Sequence, residues 1–242
     1  MRHPLTDVPA TWPPAYPRHE PVTSDEARAL DRQAADTFNI PSVLLMEHAS
    51  AGVAAVAARM ALGTGRLVVL CAPGNNGGDG YGAARFLASW GLPLRVLRCA
   101  PSAVASGGAG FEQRLFAADG TIEDAWAGPE RVSEALREAE VAVDALFGVG
   151  LTRALEGPYP DWIRDLNAAP VLRLAVDVPS GLDADNGATR PVAVRADVTA
   201  TMGLPKGGLL AAGGGAEHAG QVVEIDIGLP GPLHRPHRLL HA

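Results

Sequence analysis

Length, composition and charge already limit the classes of protein that this chain can be. The chain has 242 residues, of which 47% are hydrophobic and 19% charged, a balance typical of globular domains and unlike that of disordered chains. Its net charge of −7 argues against a nucleic-acid-binding protein, which usually has a basic excess. Cys71 and Cys99 are too few for a disulfide framework, so we expect two reduced, buried thiols and a cytoplasmic location.

The start of the chain and its most apolar stretch lack the features of targeting and membrane segments. Residues 1–20 have prolines and charges where a signal peptide needs an apolar run. The stretch 43–62 is interrupted by charged and histidine side chains, so we expect no membrane span. We predict an aperiodic, Pro-rich N-terminal arm over residues 1–21, a single domain over 22–231 and a polar tail over 232–242.

Two helices are predicted first along the chain. Residues 23–26 (TSDE) match a capping box, which opens a helix that ends near Phe38. Ser42 begins a second helix that ends near Ala61 and is dominated by small residues. Such a face lets another backbone come close, either that of the sheet or that of a partner subunit.

Short apolar runs then alternate with loops and helices. A glycine-rich loop over 72–80 and a helix over 81–90 follow the first run, residues 100–140 are predicted mostly helical, and another helix covers 160–168. Runs of this kind are typical of strands that are buried on both faces. The alternation predicts an α/β fold: a Rossmann-like, doubly wound, mostly parallel sheet in a three-layer sandwich. The predicted strands cover residues 66–71, 94–99, 141–147, 171–178, 197–202 and 221–227.

Glycine-rich segments follow two of the predicted strands, at 73–80 (PGNNGGDG) and 148–153 (GVGLTR). In open α/β sheets, ligands bind outside the carboxyl ends of the strands. Glycines let the backbone approach a ligand, and a helix N-terminus favours an anion. The first segment is neither a GxGxxG fingerprint nor a P-loop, so a tight connecting turn is the alternative. Asp79 also has the alternative role of N-cap of the following helix.

Two aspartates, Asp144 and Asp177, lie near the carboxyl ends of apolar strands. An unpaired charge there is costly, so each carboxylate is expected to meet a cation, a ligand or a hydrogen-bond donor; a satisfied buried Asp that caps a loop is the alternative. One of the two could hold a cation while the other, desolvated, carries a proton with a raised pKa. Asn76, Asp144 and Ser180 offer oxygen ligands only, which suits a hard cation and not zinc.

Lys206 is the one lysine among the 20 Lys and Arg residues of the chain. Either it survived by chance, or it marks a site where a compact ammonium cannot be exchanged for a planar guanidinium. His234, His237 and His241 are spaced like a metal clip. They lack acidic or thiol partners, and we interpret them as incidental residues of the tail.

These motifs together resemble those of the NAD(P)H-hydrate epimerases, also called the YjeF N-terminal domain family. The resemblance extends from about residue 23 to residue 230. The segments that carry it are IPSVLLME at 40–47, GNNGGDG at 74–80, VDALFGVGLTR at 143–153, GPY at 157–159, AVDVPSGLDAD at 175–185, GLPKGG at 203–208 and VVEIDIGLP at 222–230. The chain departs from the family pattern at His48-Ala49-Ser50, where Asn-Ala-Gly is usual, which is expected to affect local packing or a contact in the cleft wall.

The resemblance implies an isomerase that interconverts the R and S forms of NADHX and NADPHX, which are NADH and NADPH hydrated at C6. In this nucleotide repair, a dehydratase on a separate chain would consume the S form. The resemblance also implies a homodimer, with the small-residue helix as a candidate interface, and no tightly bound organic cofactor.

The family's functional positions can be carried over by motif. Asp177 would be the acid/base, with Lys206 beside it. One potassium ion per subunit would be bound by Asn76, Asp144 and Ser180. The substrate would contact Asn75, Asn76, Gly77, Gly78, Asp79, Gly148, Val149, Gly150, Leu151, Thr152, Arg153 and Asp177.

Two other functions stay open from the sequence. The first is a catalytically silent nucleotide-binding or dimerisation module of the same fold; the presence of every polar candidate named above favours the enzyme instead. The second is an ordinary Rossmann oxidoreductase, which would need GxGxxG after the first strand and an acidic residue at the end of the second. The chain has GNNGGDG at 74–80 and Leu97-Arg98-Cys99 at those places.

Overall fold

A computed structural model describes residues 8–14, 16–62, 65–101, 105–151 and 153–237 of the chain. Two residues singled out above, Thr152 and His241, lie outside these ranges. The strands are β1 Thr11–Trp12, β2 Leu67–Cys71, β3 Leu94–Arg98, β4 Ile122–Asp124, β5 Val141–Ala145, β6 Leu172–Val176, β7 Val198–Met202 and β8 Gln221–Ile225. The helices are α1 Ser24–Phe38, α2 Ser42–Met60, α3 Asn75–Ser89, α4 Gly107–Ala117, α5 Glu130–Glu138, α6 Tyr159–Ala168, α7 Gly207–Leu210, α8 Gly214–Ala219 and α9 Gly231–His234.

The strands form one eight-stranded sheet with the order β1-β8-β7-β6-β5-β2-β3-β4. Each neighbouring pair is parallel. From β2 the chain moves outward through β3 and β4, and it then returns to the other side of β2 as β5. The predicted doubly wound sheet is confirmed, and the direction of winding reverses between β2 and β5. Ligands of such sheets bind at this switch point, outside the carboxyl ends of the strands.

Alternate residues of the central strands face two separate cores. Val69 packs in one core with residues of α2 and α3, whereas Val68 packs in the other with residues of α5 and α6. This alternation follows from the two-residue period of a strand, and it explains why the central strands read as continuous apolar runs. The predicted three-layer arrangement is confirmed.

The two predicted N-terminal helices are confirmed, and the structure shows what the small residues of α2 do. The capping box of α1 is formed by Thr23 and Glu26. In α2, a Cβ atom at Gly52 would overlap the side chain of Ile225 in β8, so the close neighbour of this face is the chain's own sheet. Ten residues of α2 are buried within the chain, and its use as a subunit interface stays a prediction.

By length and mean hydropathy, α2 also passes as a candidate membrane span, contrary to our expectation from its charged residues. Its alanines and valines outweigh Glu47, His48 and Arg59 in the average. However, 56% of its most apolar window is buried inside the chain. Such burial is typical of the core helix of a folded domain.

One strand was missed in the region that we predicted to be mostly helical. β4 lies at the sheet edge and pairs with β3. Its charged side chains concealed it in the sequence, and they pair across the two strands. Arg95 Nη2 lies 2.7 Å from Glu123 Oε2, and Arg98 Nη2 lies 2.5 Å from Asp124 Oδ2.

The two ends of the chain are more structured than an aperiodic arm and a polar tail suggest. Within the described residues, β1 adds to the sheet as an edge strand beside β8. The backbone N–H of Glu20 donates to the carbonyl of His237 at 2.6 Å, which joins the two terminal segments. Leu233 of α9 is buried in the core. The division of the chain at residues 21 and 231 stays a prediction.

The two cysteines are buried, free thiols, as predicted. They belong to opposite cores, Cys71 to the core with α2 and α3 and Cys99 to the core with α5 and α6. Burial raises the pKa of both thiols, which keeps them protonated and unreactive.

Candidate functional site

Residues 75–80 of the glycine-rich segment after β2 are helical, not part of a loop as predicted, and only residues 72–74 form a connection. Gly74 is the N-cap, with φ of 102°, and Asn75 begins α3. Glycines usually weaken a helix, but at these positions only glycine lets α3 pack so closely against its neighbours. A Cβ at Gly77 would overlap the carbonyl oxygen of Ala72, and a Cβ at Gly80 would lie 2.5 Å from Ala145 Cβ. Tertiary packing here overrides the low helix propensity of glycine.

The start of α3 therefore presents helix-terminal groups to the switch point. The first helical hydrogen bond runs from Gly78 N–H to the carbonyl of Gly74 at 3.0 Å. The N–H groups of Asn75, Asn76 and Gly77 precede it, and such groups have no partner inside a helix and favour an anion. Asp79 lies in the second turn and is buried, so the alternative role of N-cap is wrong.

Asp144, in β5, and Ser180, after β6, form a buried hydrogen-bonded pair. The Ser180 N–H donates to Asp144 Oδ2 at 2.8 Å, and the Ser180 hydroxyl donates to Asp144 Oδ1 at 2.6 Å. The Leu146 N–H donates to the same Oδ1 at 3.3 Å. Burial raises the pKa of Asp144 to about 6, against the opposing effect of the hydrogen bonds from Ser180 and Leu146. This pair joins the ends of two adjacent strands.

Asp177 and Lys206 form a second buried pair, at the ends of β6 and β7. Lys206 Nζ lies 2.5 Å from Asp177 Oδ1 and also donates to the Met202 carbonyl at 2.9 Å. The backbone of Asp177 is in the left-handed region, with φ of 66°, a conformation that few non-glycine residues adopt outside turns and functional sites. The lone lysine therefore lies in the predicted site.

Gly148 joins the glycine segment after β5 to both of the other strand ends. A Cβ at Gly148 would lie 2.9 Å from Asp177 Oδ2 and 3.0 Å from Asn76 Oδ1. The backbone must come this close for the next N–H, that of Val149, to reach Asp177 Oδ2 at 3.4 Å. Glycine at 148 therefore permits the approach of three elements to one another.

A cavity of about 550 Å³ lies where these elements meet. Five predicted positions do not line it. Gly77 and Gly78 pack against Ala72 and Ala109 instead, and Arg153 is exposed elsewhere. Asp144 and Ser180 are fully buried. The predicted residues that do line the cavity are Asn75, Asn76, Asp79, Gly148, Val149, Gly150, Leu151, Asp177 and Lys206.

Several cavity residues were missed in the sequence. Arg28 and Asp31 reach the cavity from α1. Their spacing of three places them on one face of the helix, but charged residues on a helix are usually solvated, so this spacing alone gave no sign of a site. Apolar side chains complete the wall, and they come from α2 and from the segments after β7 and β8: Leu45, Met46, Ala49, Leu204, Ile227 and Leu229.

The cavity is rich in carboxyl groups. Burial raises the pKa of Asp79 well above its usual range, and the negative charges of Asp177 and Asp31 raise it further. Desolvation also raises the pKa of Asp31, and Lys206 opposes this rise. Asp79 is therefore a candidate for a carboxyl that donates a hydrogen bond in its protonated form, next to an ion pair.

The departures from the family pattern have separate structural effects. His48 Nδ1 lies 3.0 Å from the carbonyl oxygen of Ile227, so His48 supports a residue of the cavity wall. Ser50 lies away from the cavity, where its hydroxyl packs against Gly82 of α3. One departure thus concerns the cleft wall, and the other concerns helix packing.

Comparison with known proteins identifies the class to which this fold and site belong. Residues 42–208 match the family described as YjeF-related protein N-terminus, and the chain belongs to this family. In structure it resembles yeast ynu0, whose crystal structure superposes with a TM-score of 0.70 at 22% identity and covers 85% of this chain and 87% of that one. This likeness supports the fold.

Relatives found by sequence comparison are more similar to this chain than yeast ynu0 is. The chain is 34% identical to the NAD(P)H-hydrate epimerase of Rhodopirellula baltica, over 89% of this chain and 87% of that protein. It is 38% identical to the NAD(P)H-hydrate epimerase of Limosilactobacillus fermentum, over 85% and 95% of the two chains. It is also 41% identical to the bifunctional NAD(P)H-hydrate repair enzyme Nnr of Thermofilum pendens, but it spans only 41% of that protein.

Proposed function

We propose that this chain is an NAD(P)H-hydrate epimerase that interconverts the R and S forms of NADHX and NADPHX, with Asp177 as the acid/base. Membership of the family and the names of the full-length relatives support the reaction. The observation that carries the residue assignment is the Asp177–Lys206 pair. It places a carboxyl group, held in an uncommon backbone conformation, in the wall of a cavity at the switch point of the sheet.

The proposed reaction needs one group that can move a proton in both directions. Exchange of the two epimers requires that the C6 hydroxyl leaves and that water adds again from the other face of the ring. From the ion pair, the Lys206 ammonium would pass a proton to Asp177 Oδ1, and the resulting acid would protonate the leaving hydroxyl, which departs as water while the ring nitrogen lone pair stabilises the resulting cation. The carboxylate then accepts a proton from the incoming water, and that proton returns to Lys206. Lys206 would hold the Asp177 side chain in position through its contact with Oδ1.

We place the phosphates of the substrate between the start of α3 and the segment after β5. Asn75 and Asn76 at the start of α3 and the segment Gly148–Leu151 both line the cavity. Helix N-termini and glycine-rich backbone are common phosphate sites. Asp79, as a protonated carboxyl, would donate to the bound substrate. Thr152 and Arg153 stay candidates from the family motif.

A potassium ion is the cation that we propose at Asn76, Asp144 and Ser180. The donor set fits, because all three side chains offer oxygen. Asp144 is fully buried, and within the described part of the chain no basic side chain forms a salt bridge with it. The Asn76 Nδ2 atom is buried without a hydrogen-bond partner, and rotation of the amide by 180° would present the oxygen there instead. A bound cation would supply the missing positive charge.

The potassium proposal is tested by exchange of the cation. We expect weaker binding of NADHX, measured by calorimetry, when potassium is replaced by sodium or lithium. The Asp144→Asn variant should lose this dependence, because it lacks the charge that the ion would balance. Equal affinity of the wild-type protein in all three salts would contradict the proposal.

The cofactor, the partner enzyme, the oligomeric state and the cellular location are also proposals. The substrate is the hydrated nucleotide itself, and we propose no tightly bound organic cofactor. A dehydratase on a separate chain would consume the S epimer; the Nnr relatives are named as bifunctional repair enzymes. We also propose a cytoplasmic homodimer that uses neither nucleic acid nor a membrane, with the interface outside the buried face of α2.

The decisive experiment follows purified R-NADHX over time by NMR or chromatography. We expect the wild-type protein to speed the approach to the R/S equilibrium, and we expect Asp177→Asn to slow this by about a hundredfold or more. Asparagine tolerates left-handed backbone and keeps a carbonyl oxygen for Lys206, but the loss of one charge of a buried pair should lower thermal stability, so circular dichroism must show that the variant is folded at the assay temperature. As a control, Asp165→Asn makes the same carboxylate-to-amide change on the exposed face of α6, and it should leave the rate unchanged.

Two results would contradict the proposal in different ways. Substrate binding without acceleration by the wild-type protein would favour the catalytically silent module. If the wild-type protein and Asp177→Asn speed the reaction equally, the assignment as an epimerase stands, but Asp177 is not its acid/base.

A further inference from the structure

Two cationic side chains face the cavity within the described residues, Lys206 and Arg28. Lys206 is only 2% exposed, and its ammonium already has Asp177, Met202 and Thr201 as acceptors. An ammonium has three N–H donors. Lys206 is therefore saturated by the protein and has no donor left for a phosphate.

Arg28 has donors to spare. Its Nη1 donates to Asp25 Oδ1 at 2.8 Å and its Nη2 to the Val149 carbonyl oxygen at 2.5 Å. A guanidinium carries five N–H donors, and the structure gives Arg28 no further hydrogen bond among the residues it describes. Arg28 lines the cavity and its side chain is 35% exposed, so a ligand in the cavity can reach it.

The contact with Val149 joins Arg28 to the site. Val149 uses its carbonyl to accept from Arg28 and its N–H to reach Asp177 Oδ2 at 3.4 Å. Arg28 thus holds from α1 the segment Gly148–Leu151, whose backbone also contacts the proposed acid/base. The connection between Arg28 and Asp177 therefore passes through the backbone of Val149 alone.

The start of α1 is itself fixed, so Arg28 is preorganised. The Ser24 N–H and hydroxyl donate to the two carboxylate oxygens of Asp185, at 2.6 and 2.7 Å. Thr23 and Glu26 close a capping box around the same turn. Arg28 lies one turn further along the helix, and a side chain on an anchored element loses little freedom when it binds a ligand.

We propose that Arg28 is a substrate-binding residue that donates hydrogen bonds to the diphosphate of the dinucleotide while it holds the Gly148–Leu151 backbone in place. This inference rests on the proposed function. The diphosphate brings two negative charges into a cavity where the Lys206 ammonium is already paired with Asp177 and where Asp31 carries a further carboxyl group, so it meets repulsion there. A guanidinium with free donors offsets that repulsion, and it binds phosphate oxygens in pairs.

The test compares Arg28→Gln with Arg32→Gln, which removes the same charge from an exposed position on the same helix outside the cavity wall. We expect Arg28→Gln to raise the KM for R-NADHX and for R-NADPHX by the same factor, about tenfold or more, with kcat changed less than about threefold. Arg32→Gln should change neither constant. Arg28→Lys should recover part of the loss, because it restores the charge without the paired donors.

A binding measurement separates this inference from the proposed reaction. ADP-ribose contains the diphosphate and lacks the nicotinamide, so calorimetry with ADP-ribose reports on Arg28 whether or not the protein is an epimerase. We expect its affinity to fall about tenfold or more in Arg28→Gln and to stay unchanged in Arg32→Gln. Equal ADP-ribose affinities would overturn the inference, and so would a KM change confined to R-NADPHX, which would indicate the 2′-phosphate instead.

Discussion

The ammonium of Lys206 has a coordination that suits lysine better than arginine. Its three acceptors, Asp177 Oδ1, the Met202 carbonyl and Thr201 Oγ1, lie at 2.5, 2.9 and 3.3 Å around one nitrogen atom. A compact ammonium can direct its three donors to such a set, whereas the donors of a guanidinium lie in one plane and need more room. The residue's location thus favours a functional reason for the lone lysine over chance survival.

We therefore predict that Lys206→Arg lowers epimerase activity although the charge is kept. The larger group must displace Asp177 or Met202 in a buried space, and we expect kcat to fall at least about tenfold because small misplacements of acid/base groups are costly. Steady-state kinetics with R-NADHX would measure the change. Arg164→Lys, the reverse exchange on the exposed face of α6, should keep the wild-type rate; a wild-type rate in Lys206→Arg would indicate chance survival.

At the scale of elements, the contact between α2 and α3 depends on a glycine opposite a serine. A Cβ at Gly82 would overlap both Oγ and Cβ of Ser50. The resemblance implies glycine at position 50, and here the Ser50 side chain fills the space opposite Gly82. The two positions should therefore be energetically coupled.

We predict that Gly82→Ala destabilises the protein by about 1–3 kcal/mol, as overpacking between helices usually does. In a Ser50→Gly background the same substitution should be much less harmful, because the overlapping atoms are gone. Chemical denaturation of the four proteins gives the coupling energy directly. Additive effects of the two substitutions would show that α2 and α3 can move apart freely.

A buried carboxylate lies at the same junction, where α4 meets α2 and α3. Glu112 is 0% exposed, and neither carboxylate oxygen has a hydrogen bond within the described structure. Arg85 Nε approaches to 3.5 Å. Burial raises the pKa of Glu112, the nearby charge of Glu47 raises it further, and Arg85 opposes both.

The raised pKa gives a stability prediction with a definite sign. Because folding favours the protonated form of Glu112, the protein loses stability as the pH rises through the folded-state pKa. Glu112→Gln should therefore stabilise the protein at pH 8, on the order of 1 kcal/mol, and have little effect near pH 4. Thermal unfolding at the two pH values measures this. Glu47→Gln, a 38% exposed partner of the same Arg85, should change stability by about 0.5 kcal/mol or less; destabilisation by Glu112→Gln at pH 8 would contradict the argument.

For the whole molecule, the order of strands and loops in the sequence was enough to predict the parallel sheet and the edge at which the site lies. Buried strands are continuous apolar runs, and polar residues such as Asp144 and Asp177 stand out at their ends. Since parallel strands end on the same edge, residues far apart in sequence could be expected to meet there.

What the sequence did not show depends on contacts between distant elements. The glycines after β2 suggest a loop by propensity, and only their packing on Ala72 and Ala145 explains the helix. β4 and β1 are short edge strands without an apolar run. Arg28 belongs to an ordinary amphipathic helix, and only the tertiary fold turns it toward the cavity.

The N-terminal segment provides a prediction at the same scale. β1 covers the edge of β8 through Thr11 and Trp12, and beyond it His19 donates to the Glu224 carboxylate from its backbone N–H, with its Nδ1 also 3.0 Å from Oε2. Glu224 is only 2% exposed. Without this segment, β8 becomes a free sheet edge beside an unpaired carboxylate.

Deletion of residues 1–21 should therefore lower Tm by about 5 °C or more and promote self-association that rises with protein concentration, since unpaired edge strands recruit other chains. Deletion of residues 1–7 alone keeps β1 and His19, and it should leave Tm close to that of the full chain. Calorimetry and light scattering on the three proteins provide the comparison. Equal Tm values for the two deletions would show that the strand pairing and the His19–Glu224 contact contribute little to folding, and that stability resides in the seven strands from β2 to β8.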